Sequence, residues 1–147
     1  MIRDPRIVIL AALLVCSACT PTARPDPTPS PIPDGTTPLQ AILGREPTDR
    51  DCFTTAFDTV SVPDAPTLQR HVVTVARSPA WLPHRGFLGS PAELARAVNG
   101  QVIAADPQTT WILVPGNPLP RAERYFPLTA TTGERIWYRE GSVSACI

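Results

Sequence analysis

The sequence contains no lysine. Its 13 basic residues are all arginine, and 13 acidic residues balance them to a net charge of zero. Charges also balance from Leu39 onward, so no basic stripe or Arg–aromatic cluster marks a nucleic-acid surface, and no polybasic patch marks an anionic membrane surface. Histidine occurs only at His71 and His84. No G-x-S-x-G is present, and Gly89-Ser90-Pro91 reads as a helix cap instead of a nucleophile turn. There is no glycine-rich phosphate loop, and no cofactor is implied. Asp49, Asp51 and Asp58 lie close in sequence but lack the turn glycine of a calcium loop. Cys52 and Cys146 are too far apart for C-x-x-C zinc spacing, so no metal site is expected. The apolar run Ile7 to Ala18 is well short of the roughly 20 residues a membrane-spanning helix needs.

What that run does fit is a secretory leader. Arg3 and Arg6 precede it, Ala18 and Cys19 close it, and a Pro- and Thr-rich stretch follows. This order resembles the leaders of bacterial lipoproteins. Arginine without lysine and abundant Ala, Pro and Thr suggest coding from a GC-rich genome, and the leader resembles those of actinobacterial envelope proteins. The resemblance covers the signal segment and Cys19 alone. It implies cleavage before Cys19, lipidation of Cys19, and a chain tethered to the extracytoplasmic face of the cell membrane. Cys16 stands where such leaders usually carry Leu, and cleavage after Ala18 by an ordinary signal peptidase, with plain secretion, is the alternative. On the lipoprotein reading, Cys16 leaves with the leader and Cys19 takes the lipid. Cys52 and Cys146 then remain as one pair in an oxidising compartment, where a disulfide is expected.

Three segments follow: a signal peptide over 1–18, a lipidated Cys with a disordered linker over 19–38, and a single globular domain over 39–147. The linker carries Pro25, Pro27, Pro29, Pro31 and Pro33 with Ile32 as its one large aliphatic residue, too little apolar surface to order itself. It reads as an extended spacer. Within the domain, Pro38 to Leu43 suggests one helical turn. Ser90-Pro91-Ala92-Glu93 is a capping box opening a helix that puts Leu94, Ala97 and Val98 on one face. Val102–Ala105 and Thr110–Val114 flank a Pro-containing turn and read as a hairpin. Tyr125–Ala130 and Arg135–Arg139 read as a second, with a last strand from Ser142. Cys52–Val62 is expected to be extended, with Phe53, Phe57, Val60 and Val62 in the core. Arg70–Arg77 reads as a strand from Val72, Val73, Thr74 and Val75, although Leu68, Val72, Val75 and Ala76 also satisfy helical spacing. The expected fold is α+β: a mainly antiparallel sheet of about five strands with one principal short helix and one disulfide.

Chemistry is sparse. His71 sits in an apolar segment and reads as structural. The stretch Trp81-Leu82-Pro83-His84-Arg85-Gly86-Phe87 is long and aromatic for a connection. Trp81, His84, Arg85 and Phe87 are therefore the candidate binding residues, since aromatic and arginine side chains often anchor interfaces. Thr132-Gly133-Glu134-Arg135-Ile136-Trp137 loosely resembles the inhibitory motif of C-type lysozyme inhibitors, which are eight-stranded barrels. It departs from the motif at Thr132 and Ile136 and in its spacing to Trp137, and it also reads as an ordinary hairpin tip. The expected role is a binding module for an extracytoplasmic protein or wall component. An extracytoplasmic hydrolase with His84 as base, and an inhibitor or immunity-type envelope protein, are the alternatives.

Overall fold

The computed structural model describes residues 30–75 and 79–146. The leader, Cys19 and the first part of the linker lie outside the described residues, as does Ile147. In chain order the elements are α1 (Pro38–Leu43), β1 (Phe53–Phe57), α2 (Ala65–Thr74), β2 (Ala80–Trp81), β3 (Phe87–Leu88), α3 (Pro91–Ala97), β4 (Gln101–Ala105), β5 (Thr110–Val114), β6 (Arg121–Thr129) and β7 (Arg135–Ala145). All strand pairs are antiparallel, in the order β2-β3-β7-β6-β5-β4 with β1 also on β7. The mixed helical and antiparallel character matches the sequence reading. The sheet is larger than five strands: it has 7, because β2 and β3 are two-residue strands too short to leave a periodic signature.

The two hairpins form where the sequence places them. Asp106 shapes the first turn, its carboxylate accepting from the backbone N–H groups of Gln108 and Thr109 at 2.7 and 2.8 Å. The expected final strand from Ser142 is continuous with the outgoing arm of the second hairpin, giving the 11-residue β7. A bulge lies along it. Arg124 pairs with Gly141 and Tyr125 with Arg139, which leaves Glu140 as the extra residue.

Helices cover both faces of the sheet. On one face Leu94 and Ala95 of α3 pack with Phe87, Ile112, Tyr125 and Trp137. On the other, Leu68 and Val72 of α2 pack over Ile136 and Tyr138, and Ile42 of α1 packs over Ile103, Ala122 and Val143. This explains three consecutive buried residues in β7: Ile136 and Tyr138 point to one helical layer and Trp137 to the other. Ile32, the one large aliphatic of the linker, joins the α1 cluster.

The strand expected over Arg70–Arg77 is instead helix α2, while residues 76–78 lie outside the described residues. Asp64 caps it by accepting from the Thr67 N–H at 2.8 Å, and Pro66 occupies its first turn. Leu68 and Val72, four apart, then share the buried face. The helical stripe and cap outweigh the β-branched run, whose Val73 is left 73% exposed. Phe57 and Val62 are also exposed, contrary to the expected core role, because β1 lies along the outer edge of β7 beyond the helical layers; Phe53 and Val60 do pack inward.

The capping box of α3 is present in full. Ser90 Oγ accepts from the Glu93 N–H, and the Glu93 carboxylate accepts from the Ser90 N–H at 2.8 Å. The Ser90 N–H, helped by the Ser90 hydroxyl donating to the same carboxylate at 2.9 Å, holds the Glu93 carboxyl below its ordinary range. The buried stripe is Leu94 and Ala95, with Val98 half-buried; Ala97 faces solvent, contrary to expectation, because the helix ends there and Val98 serves as its C-cap. Ser90→Ala is expected to cost about 1 kcal/mol, read from denaturant melts; an unchanged midpoint would contradict the assigned cap.

Cys52 and Cys146 form a disulfide with their α-carbons 5.2 Å apart. The bridge joins the residue before β1 to the residue after β7, beside a 2.8 Å backbone bond from the Cys146 N–H to the Cys52 carbonyl. It therefore fixes the register of β1 on the half of β7 beyond the bulge.

Candidate functional site

β7 is longer than either strand on its outer edge. β3 pairs with Ile136 and Trp137, and β1 pairs with Gly141 through Ala145. Between them, at Tyr138 and Arg139, neither strand pairs with β7; the last bond on the β1 side is the Asp58 N–H donating to the Glu140 carbonyl at 3.0 Å. The notch opens onto a cleft of about 370 Å³. One wall is the chain leaving β1, Asp58 to Ser61; the opposite wall carries His84 and Arg85; Tyr138 and Arg139 form the base. The Glu140 bulge lies directly alongside, a common location for a bulge next to a functional site.

Two glycines make the notch sterically possible. A Cβ on Gly141 would collide with the Ala56 carbonyl and the Phe57 ring, so glycine lets β1 lie close over the bulge. A Cβ on Gly86 would sit 2.7 Å from Tyr138 Cζ, so glycine lets the preceding turn rest on the phenol ring.

That turn is the aromatic loop picked out in the sequence. The Arg85 N–H donates to the Leu82 carbonyl at 3.2 Å, and the Leu82 N–H donates to the Gly86 carbonyl at 2.6 Å. Inside it His84 and Arg85 both adopt positive φ, 66° and 61°. Two successive non-glycine residues in the left-handed region are strained, and such strain concentrates at functional sites.

The four candidate binding residues separate. His84 and Arg85 line the cleft. Trp81 precedes the turn, is 47% exposed, and meets the Phe87 ring edge-on at 5.2 Å between centroids. Phe87 departs from the expectation of a contact residue: it is 2% exposed and belongs to the α3 core, since its strand position on β3 turns it inward beside Trp137. His71, expected to be structural, stacks on His84 at 6.0 Å from α2. Its Nδ1 is buried with no hydrogen-bond partner among the described residues.

Charge in the notch is organised around Arg139. Its guanidinium ion-pairs with Asp58 at the end of β1 and donates to Glu123 at 3.2 Å. Hydrogen bonding to Asp58 is the main reason its pKa rises above the ordinary arginine value. Glu123 is 3% exposed and also accepts from Arg121 at 2.8 Å and from the Tyr125 hydroxyl at 2.6 Å. Burial, reinforced by Glu123, holds the Tyr125 hydroxyl protonated well beyond its usual range. Arg139 is thus held from both sides. The Arg85 guanidinium, by contrast, makes no hydrogen bond or ion pair among the described residues. The Tyr138 hydroxyl is buried without a hydrogen-bond partner among the described residues, and desolvation raises its pKa.

Sequence reasoning found His84 and Arg85 but missed Asp58 to Ser61, Tyr138 and Arg139 as their neighbours. Asp58 drew attention only as part of an acidic cluster. That cluster is dispersed: Asp51 takes a bidentate bond from Arg45 at 2.6 and 2.8 Å, while Asp58 serves Arg139. Among the described residues no group of three or more His, Cys, Asp or Glu could hold a metal, and no helix is long and apolar enough to cross a membrane. Neither histidine hydrogen-bonds a carboxylate among the described residues. The tip at Thr131 and Thr132 folds back onto Gln69 of α2, unlike a projecting inhibitory loop. Searches among family models, curated proteins and solved structures gave no match to this chain.

Proposed function

We propose that this chain is a lipid-anchored binding module of the cell envelope that presents the β7 notch to an extracytoplasmic protein or wall component. Cleavage before Cys19 leaves an N-terminal cysteine for acylation, and the proline-rich linker holds the domain off the membrane surface. The observation that carries the binding reading is the pairing of a strained turn with an unpaired cation over a cleft. The fold keeps two left-handed side-chain-bearing residues there when a glycine would adopt the turn at lower cost. Stability does not call for them; contact with a ligand does. Trp81, half-exposed beside the turn, adds an aromatic surface of the kind that anchors interfaces.

One experiment addresses anchor and binding together. Membranes from cells producing the full chain are crosslinked, extracted and digested for mass spectrometry. The N-terminal peptide is expected to begin at an acylated Cys19, and crosslinks to the partner are expected from the cleft walls. An unmodified Cys19 thiol in a soluble product would overturn the anchor. Crosslinks confined to the far hairpin around Gln108 would overturn the binding surface.

A further inference from the structure

We infer that the notch receives a single carboxylate group, such as a peptide C-terminus or a sugar acid, with Arg85 as its counter-ion and Tyr138 as a second donor. This rests on the binding-module reading and names its ligand chemistry.

The sign and number of charges come first. Arg85, Arg139 and Asp58 line the cleft, and Arg139 also pairs with Glu123, which in turn pairs with Arg121; counted together, the three arginines exceed the two carboxylates by one charge. The bonds identify which arginine carries it. Arg139 and Arg121 are committed to carboxylates, and Arg85 is the member with none. One unmatched guanidinium suits one monoanion, and its planar fork matches a carboxylate in bidentate geometry. A phosphate dianion would exceed the surplus. A cation would meet Arg85 head-on.

The second donor is the Tyr138 hydroxyl. A buried hydroxyl without a hydrogen bond is costly, and this one belongs to a fully buried side chain at the base of the cleft. It is closed from solvent by the turn that rests on its ring at Gly86. An incoming oxygen reaches it when that turn lifts. His84 and Arg85 are the strained residues of the same turn, so lifting it releases left-handed strain while giving the hydroxyl an acceptor. Thr59 and Ser61 line the cleft mouth and offer further hydroxyl donors from the β1 side. The cleft holds a carboxylate with a small attached group, not an extended chain.

The test is a titration of the full-length protein in detergent, followed by amide chemical shifts. The probes are N-acetyl-alanyl-alanine and glucuronate, each with its neutral carboxamide as control. Saturable shifts at His84, Arg85 and Gly86 are expected with one or both acids. A response to only one names the source of the carboxylate. Arg85→Gln is expected to weaken binding about tenfold or more, as loss of a charge-assisted bond does. Tyr138→Phe is expected to weaken binding while leaving the melting temperature equal to or above wild type, a split that a purely structural tyrosine would not show. Equal binding of acid and amide, no notch response to either acid, or undiminished binding by Arg85→Gln would overturn the inference. If the acids fail while envelope-partner capture still depends on Arg85, the carboxylate assignment falls and the binding module stands.

Discussion

Replacing Cys52 and Cys146 together with serine is expected to lower the unfolding free energy by about 4–5 kcal/mol. The bridge spans a sequence separation of 94, so its loss restores nearly the full conformational freedom of the domain's denatured chain. That is a large fraction of the ~5–15 kcal/mol by which ordinary domains are stable. The loss should be felt first at β1. Four of its five residues are exposed, so it has little apolar burial to hold it on β7 once the covalent link has gone. Because Asp58 to Ser61 continue from β1 into the cleft wall, hydrogen exchange should rise in that wall before it rises in β5 or β6. Denaturant melts of the oxidised protein and the double serine variant measure the difference. A change below about 1 kcal/mol would show that the bridge contributes little beyond the ladder it joins, contrary to this account.

The second large effect is expected at Trp137. It is fully buried at the junction of β7 with β3 and the α3 layer, and its Nε1–H donates to the Gly89 carbonyl at 3.0 Å. Trp137→Ala should cost about 3–5 kcal/mol, combining lost burial with a cavity between the sheet and α3. Trp137→Phe keeps an aromatic ring but strands the Gly89 carbonyl, and about 1–3 kcal/mol is expected. Trp81→Ala should cost clearly less than Trp137→Ala, because Trp81 is 47% exposed and touches the core through the edge of Phe87. A reversed order from thermal or denaturant melts would mean that the turn, and not the sheet, anchors this end of the domain.

Features encoded within a few neighbouring residues could be read directly. Ser90 with Glu93, the turn at Asp106, the short helix after Thr37 and the two hairpins each carry their signal inside one local segment. The Cys52–Cys146 bridge was also legible, since the leader reading left no other pair. Helix α2 was misread because Val72, Val73 and Thr74 favour strand locally, while the deciding signals lie upstream at Asp64 and Pro66. The length of β7 was hidden by Gly141, which looks like a strand break but is the residue that lets β1 pass over the bulge. The candidate site was half visible. His84 and Arg85 stand out in an aromatic loop, but their partners come from β1 and β7. No local pattern announces that two strands meeting one edge will leave a gap between Trp137 and Glu140.

The central claim, that the turn over the β7 notch binds an envelope partner, is tested most directly by comparing partner capture from membranes by the wild-type chain and by Arg85→Ala. Arg85 is exposed and makes no ion pair among the described residues, so its truncation should leave the melting temperature within about a degree of wild type, as surface substitutions generally do. The account predicts strongly reduced capture at unchanged stability. Capture as efficient as that of the wild type would contradict it.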